Sequence, residues 1–164
     1  MRRQAVATAC ALALTYASAA GAGHRARTIT LRIVSTPRDL GPSAHCPGGR
    51  VQSRLVAPTG TAVVGSSLVC VLDATITHPP GALVGNVTEQ VLETDSIQGG
   101  RIVSRQRQVF RFNPAGTRAQ ASFRGTVLRG TGRYSGARGT ISGGGPMGVA
   151  NVTHPQFVLK IRLR

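Results

Sequence analysis

Residues 125–145, GTVLRGTGRYSGARGTISGGG, form the stretch whose reading decides the fold. Glycine recurs through it, yet β-branched and aromatic residues stand between the glycines. It begins and ends as a strand does and turns sharply at Arg129-Gly130-Thr131-Gly132. Glycine at such positions permits positive φ, or lets one backbone lie close against another. A sheet that coils until it closes needs that freedom, so the stretch predicts a β-barrel.

Outward from this turn the chain reads as all-β. Residues 119–129 and 138–142 flank the turn as strands. Residues 156–164 alternate, with Phe157, Leu159, Ile161 and Leu163 against Val158, Lys160, Arg162 and Arg164. Residues 28–34 do the same, with Ile29, Leu31 and Ile33 against Thr28, Thr30 and Arg32. Such a period of two marks half-buried strands. Residues 67–77, 84–94 and 101–112 supply three more strands. They are separated by His78-Pro79-Pro80-Gly81 and by a loop over 95–100, and Asn113-Pro114-Ala115-Gly116 turns after the last of them. Residues 35–66 are rich in Pro, Gly and Ser and read as a long loop, interrupted by a short strand at 51–56. No segment carries a sustained helical period. Roughly seven or eight strands with turn signals about every 8–12 residues predict a sandwich or a barrel.

The 164 residues suffice for one domain with a core of its own. Residues 1–22 read as a secretory signal peptide. Arg2 and Arg3 precede an uncharged apolar run from Ala5 to Tyr16, and small residues with Ala-x-Ala-like cleavage sites follow. That run falls short of the ~20 residues a bilayer span needs. The mature chain is therefore expected to be extracellular and not transmembrane, with residues 23–66 (a strand and the loop) and 67–164 (the barrel core) forming one unit. Cleavage leaves Cys46 and Cys70, an even pair that in an exported protein suggests a disulfide; two buried free thiols are the alternative. His24, His45, His78 and His154 show no ligand spacing with the cysteines, so neither a metal nor another cofactor is expected.

The formal charge is +15, and Lys160 is the only lysine among the 20 basic residues. The arginines are scattered along the chain and aromatics for base stacking are few, which argues against specific nucleic-acid binding. Weak, salt-sensitive attraction to anionic polymers is the expectation that this charge supports.

Gly130-Thr-Gly-Arg-Tyr134-Ser-Gly-Ala-Arg138-Gly139 resembles the G-T-G-x-[YF]-x-x-A-R-G signature of the allene oxide cyclase and dirigent barrel superfamily. The order of features around it is similar too: an Asp-bearing strand, a strand carrying Gly85-x-x-Thr88-Glu89-Gln90, and a strand ending in Phe110 and Phe112. The resemblance covers residues 66–164. It implies an eight-stranded antiparallel, calycin-like barrel around a cavity, assembled as a dimer or trimer. It also implies one of two activities. Dirigent-type members hold a small hydrophobic molecule and steer its conformation; allene oxide cyclase-type members are isomerases that close a ring. The chain departs from the plant members in its lack of Trp, its basicity and its loop over 35–66.

The disulfide offers a way to assign faces. If the Cys46 loop wraps the outside, Cys70 points outward, and strict alternation sends Val69, Val71, Asp73 and Thr75 inward. Asp73 is then a candidate acid or base among valines; the alternative is a solvated Asp73 at the strand end. Glu89, between Val87 and Val91 on one face, is the second candidate, unless it faces outward toward Arg105 or Arg107. Those two arginines read as an outer face; turned inward, they would bind an anionic ligand. Tyr134 offers either a hydroxyl at the barrel mouth or a ring packed over glycines.

These readings lead to two functions. One is a secreted barrel that binds or steers a small hydrophobic ligand through Val69, Val71 and neighbouring residues. The other is a cyclase using an interior carboxylate from Asp73 or Glu89, with Tyr134 assisting.

Overall fold

The structure, a computed structural model, describes residues 27–34, 38–59, 61–148 and 156–163. The expected signal peptide, residues 1–22, lies outside these described residues. Nine strands are found among the described residues: β1 (Arg27–Val34), β2 (Arg38–Asp39), β3 (Arg50–Val56), β4 (Val63–Thr77), β5 (Asn86–Ile97), β6 (Gly100–Phe112), β7 (Arg118–Gly132), β8 (Gly139–Gly148) and β9 (Gln156–Leu163). All pair antiparallel in the order β1-β9-β8-β7-β6-β5-β4-β3-β2. β1 also pairs with β3 through Arg32↔Val56 and Ile33↔Leu55. That pairing closes an eight-stranded barrel, and β2 lies outside it on β3. The closing seam is short, two residue pairs, but it gives every barrel strand a neighbour on both sides.

The glycine-rich stretch makes two close approaches that closure depends on. A Cβ on Gly125 would stand 2.1 Å from the Arg105 carbonyl oxygen, so β6 and β7 can cross there only without a side chain. At the end of β7, Gly132 takes φ +60° and starts the turn into β8. The sharp turn thus lies at 133–138, just beyond the position expected from the sequence, because β7 continues to Gly132.

Tyr134 folds back from this turn, is buried, and donates its hydroxyl to the Gln98 carbonyl at 3.3 Å. It covers Gly100 and Gly130, where a side chain would collide with it. With Ala137, Ile97, Ile102 and Val127 it plugs one end of the barrel. The other end carries the turns after β4 and β6 and the segment joining β2 to β3.

The interior is divided. β1, β7, β8 and β9 contribute Leu31, Ile33, Phe123, Val127, Ile141, Phe157, Leu159 and Ile161, a continuous apolar wall. β4, β5 and β6 contribute the buried polar side chains Ser67, Glu93, Asp95, Ser104, Gln106 and Gln108. Burying so many polar groups costs stability unless each finds a partner. Their retention on one wall is the main departure of this barrel from a simple apolar core.

Three register shifts adjust the strands: at Leu55/Val56 on β3, at Val71/Asp73 on β4, and at Val103/Ser104 on β6 against β7. The second reverses an expectation. Val71 pairs with inward Val91, but Asp73 pairs with Gln90, whose face is outward. Leu72 is the extra residue of this bulge and changes the phase of the alternation. Asp73 and Thr75 are therefore exposed on the outer face, not inside with Val69 and Val71.

Cys46 and Cys70 form the expected disulfide, with Cα atoms 5.2 Å apart. It ties the segment between β2 and β3 to the outside of β4. Gly48 N–H donates to the Val71 carbonyl at 3.1 Å, and Val71 N–H donates to the Gly49 carbonyl at 3.0 Å. Arg50 braces the same segment from within, donating to the carbonyls of Leu40 at 3.0 Å and Gly41 at 3.3 Å. Part of the long Pro/Gly-rich region is thus ordered structure, held by a covalent bond at one point and by backbone pairing at another.

Candidate functional site

A cavity of about 320 Å³ occupies the barrel toward the end opposite Tyr134. Period-two alternation explains what faces it. On β5, residues 87, 89, 91, 93, 95 and 97 point inward, and on β6 the even-numbered residues from 100 to 110 do. The cavity therefore meets Glu89 and Glu93 from β5 and Gln108 and Phe110 from β6. Val69 and Val71 of β4 lie beside them, and the tethered Gly48–Gly49 segment closes the rim.

Facing the carboxyls is an aromatic wall. Phe123 packs edge-on against Phe157 at 5.0 Å between ring centres and against Phe110 at 6.1 Å. Met147 fills in beside them. The chain has only four phenylalanines, and three are gathered here. Low aromatic content therefore does not mean an aromatic-poor cavity.

The carboxyl groups are set at two depths. Glu93 is fully buried and held in place: Ser67 Oγ donates to its Oε1, and Gln106 Nε2 donates to its Oε2, both at 2.5 Å. The same Gln106 amide donates to Ser104 Oγ at 2.9 Å. Behind Glu93, away from the cavity lining, Asp95 is fully buried, and neither of its oxygens has a hydrogen-bond partner among the described residues. A carboxylate in that position is unsatisfied, whereas a protonated Asp95 can donate to Glu93.

Desolvation, and then the neighbouring Glu93 charge, push the Asp95 carboxyl well above its ordinary range. Desolvation also raises Glu93, although its hydrogen-bond donors act in the opposite direction. Burial thus favours the protonated form of both carboxyls, of Asp95 more strongly, while Ser67 and Gln106 favour the charged form of Glu93. Glu89 stands nearer the opening, makes no hydrogen bond among the described residues, and is raised by burial alone.

Chemically, the arrangement presents an apolar pocket with one carboxyl without a hydrogen bond, Glu89, one held by two donors, Glu93, and a further buried carboxyl, Asp95, behind it. Among the described residues no group of three or more His, Cys, Asp or Glu side chains is placed to hold a metal ion.

Of the candidates read from the sequence, Val69, Val71 and Glu89 line this cavity. Asp73 is exposed on the outside, for the reason given by the bulge at Leu72. Arg105 and Arg107 are exposed on the outer face of β6, because that strand alternates and its even-numbered residues point inward. Tyr134 seals the far end and does not line the cavity. Sequence reading missed Glu93, Asp95, Gln106 and Gln108. The signal was present in Val87-x-Glu89-x-Val91-x-Glu93-x-Asp95-x-Ile97, one inward face six residues deep. It was lost because Asp95-Ser-Ile-Gln-Gly-Gly reads as a loop, whereas β5 runs on to Ile97 and the turn is confined to Gln98–Gly99.

Neither a family model nor a curated protein matches the chain. Among the described residues, no helix is long and apolar enough to cross a membrane.

Proposed function

We propose that this protein holds a small, largely apolar molecule in the barrel cavity and fixes its conformation, in the manner of the dirigent-type barrels its signature resembles. One observation carries the reading: a 320 Å³ cavity in which Phe110, Phe123, Phe157 and Met147 face a wall bearing Glu89 and Glu93. Cavities of this kind use apolar area for affinity and a few fixed polar groups for orientation. The size lies at the low end of the roughly 300–1,000 Å³ range of ligand pockets, which favours a compact molecule. A polar end of that molecule would meet Glu89, with Glu93 and Gln108 behind. Export through residues 1–22 and assembly into dimers or trimers belong to this proposal; the Cys46–Cys70 disulfide accords with an oxidising, extracellular setting.

A specific observation favours a second reading, an isomerase or cyclase. Glu93 is pinned by Ser67 and Gln106 at the cavity wall with a second buried carboxyl, Asp95, behind it, and burial raises it, the setting expected of a general acid or base.

Native mass spectrometry after incubation with a fatty-acid and polyketide extract tests both readings. The binding proposal predicts a one-to-one adduct whose ligand is released with unchanged mass and unchanged chromatographic retention. A released compound of the same mass but altered retention, lost in Glu89→Gln or Glu93→Gln, would establish the cyclase instead. No adduct of either kind would contradict the proposal.

A further inference from the structure

Charge is sorted in this protein. Of its five acidic residues, Asp39, Glu89 and Glu93 line the cavity and Asp95 lies behind them. Asp73 stands on the outer wall of β4, and Asp39, at the cavity rim, is exposed on β2 outside the barrel. The outer faces of β6, β7, β8, β9 and β1 therefore carry cations without acids.

The register places them in two adjacent rows. Arg107 pairs with Arg124, Arg124 with Ser142, Ser142 with Lys160 and Lys160 with Thr30. One rung along, Arg105 pairs with Thr126, then Thr140, Arg162 and Thr28. Five cations are thus interleaved only with hydroxyl side chains. Arg105, Arg107, Arg124, Lys160 and Arg162 are exposed, and no carboxylate among the described residues pairs with any of them. Along the first row the nearest acid is Asp73, two strands beyond Arg107 through Gln90.

Such an arrangement works against the fold. Like charges directly opposite on neighbouring strands are destabilising, and Arg107 opposite Arg124 is one such pair. A partner supplying negative charge would offset that repulsion.

The surface also has shape. Between β7 and β9 a trough of about 480 Å³ runs over Gly143 and Gly144, with Ser122 and Arg124 on one side and Val158 and Lys160 on the other. On its floor Gly144 stands between Ser122 and Val158 and presents no side chain to the outer face. The two walls stand two strand spacings apart, about 10 Å, which admits a single extended chain and excludes a nucleic-acid duplex. Phe123, the one aromatic residue bordering the trough, and Tyr134 are both buried, so stacked bases have no exposed platform there. A bilayer would touch a convex wall along one line only and would find Val158 as the sole exposed large apolar side chain in the trough. Arginine binds carboxylate and sulfate groups bidentately, and the Ser and Thr hydroxyls between the arginines suit sugar hydroxyls.

We propose that the outer face of β6–β9 docks a linear, carboxylated or sulfated polysaccharide, laid along the trough over β8, across Ser142 between Arg124 and Lys160, and gripped by Arg105, Arg107 and Arg162. This places the ligand barrel on an anionic matrix while its mouth, at the barrel end, stays open.

Heparin oligosaccharides of defined length are the probe, titrated by calorimetry at several salt concentrations. The wild-type protein is expected to bind with an affinity that falls steeply with salt. The double variant Arg124→Ser/Lys160→Ser is expected to bind at least about tenfold more weakly and with a salt slope lower by about two. Arg38→Ser, on β2 away from this face, is expected to match wild type; an equal thermal melt for all three proteins excludes misfolding. Equal losses in Arg38→Ser and the double variant would overturn the proposal in favour of general charge attraction. Duplex DNA or phosphatidylserine vesicles binding more tightly than heparin, with the same dependence on Arg124 and Lys160, would overturn the choice of a polysaccharide. So would an absence of heparin binding at low salt.

Discussion

Gly139→Ala is expected to destabilise the barrel by on the order of 4 kcal/mol, a large part of the ~5–15 kcal/mol that holds a typical domain together. Two effects act at once. Gly139 takes φ +152°, a backbone conformation that L side chains rarely adopt. An added Cβ would also stand 1.8 Å from the Arg162 carbonyl oxygen, a backbone atom that can move only if β9 moves. β9 joins β8 to β1, so displacing it opens the closed sheet. Gly136 in the same turn is the control. It has φ +75° but nothing within 4 Å of its added Cβ, so Gly136→Ala should cost only the strain, roughly 1 kcal/mol. Urea unfolding of the two variants checks the ranking; equal costs would show that close strand approach at Gly139 does not hold the barrel shut.

The buried carboxyl pair gives the second large effect, and it is a pH dependence. Asp95 and Glu93 are both raised by burial, so the folded chain retains protons that the unfolded chain has released. Their contribution to stability is fully present below the ordinary carboxylate values and is lost as pH rises through the raised ones. The slope over that window is about 1.4 kcal/mol per pH unit for each proton retained. Asp95→Asn keeps a donor toward Glu93 without a group that titrates. It is expected to be more stable than wild type at about pH 8, with the difference shrinking toward about pH 4. The large positive charge of the chain changes similarly in both proteins, so the difference between their urea midpoints isolates the pair. Parallel curves would show that Asp95 is not the retained proton's site.

The closed sheet was legible in the sequence because glycine at 125, 130, 132 and 139 has few other uses between β-branched residues. Strand alternation at 28–34 and 156–163 was legible for the same reason: one face is apolar and the other is not. The disulfide followed from an even cysteine count. The site was legible only in part. Glu89 was visible as a charge between two valines. Asp73 was assigned to the wrong face because alternation carries no mark of a bulge, and a single extra residue at Leu72 inverts everything after it. Arg105 and Arg107 depended on which face of a strand with polar residues on both sides turned inward. That was decided by Gln106 and Gln108 joining the carboxyl wall. Glu93 and Asp95 escaped because burying acids in pairs depends on partners from β4 and β6 that lie far off in sequence.

The central claim is that the cavity between the carboxyl wall and the phenylalanines is a ligand site, and filling it tests that claim most directly. Val69 faces the cavity beside Glu93, with which it pairs across β4 and β5. Val69→Phe places a ring into the space while leaving the barrel strands paired. The fluorescent probe N-phenyl-1-naphthylamine is expected to bind wild-type protein saturably, one per chain, and to lose that binding in Val69→Phe at an unchanged thermal midpoint. Undiminished one-to-one binding by Val69→Phe would contradict the assignment and place the apolar site elsewhere.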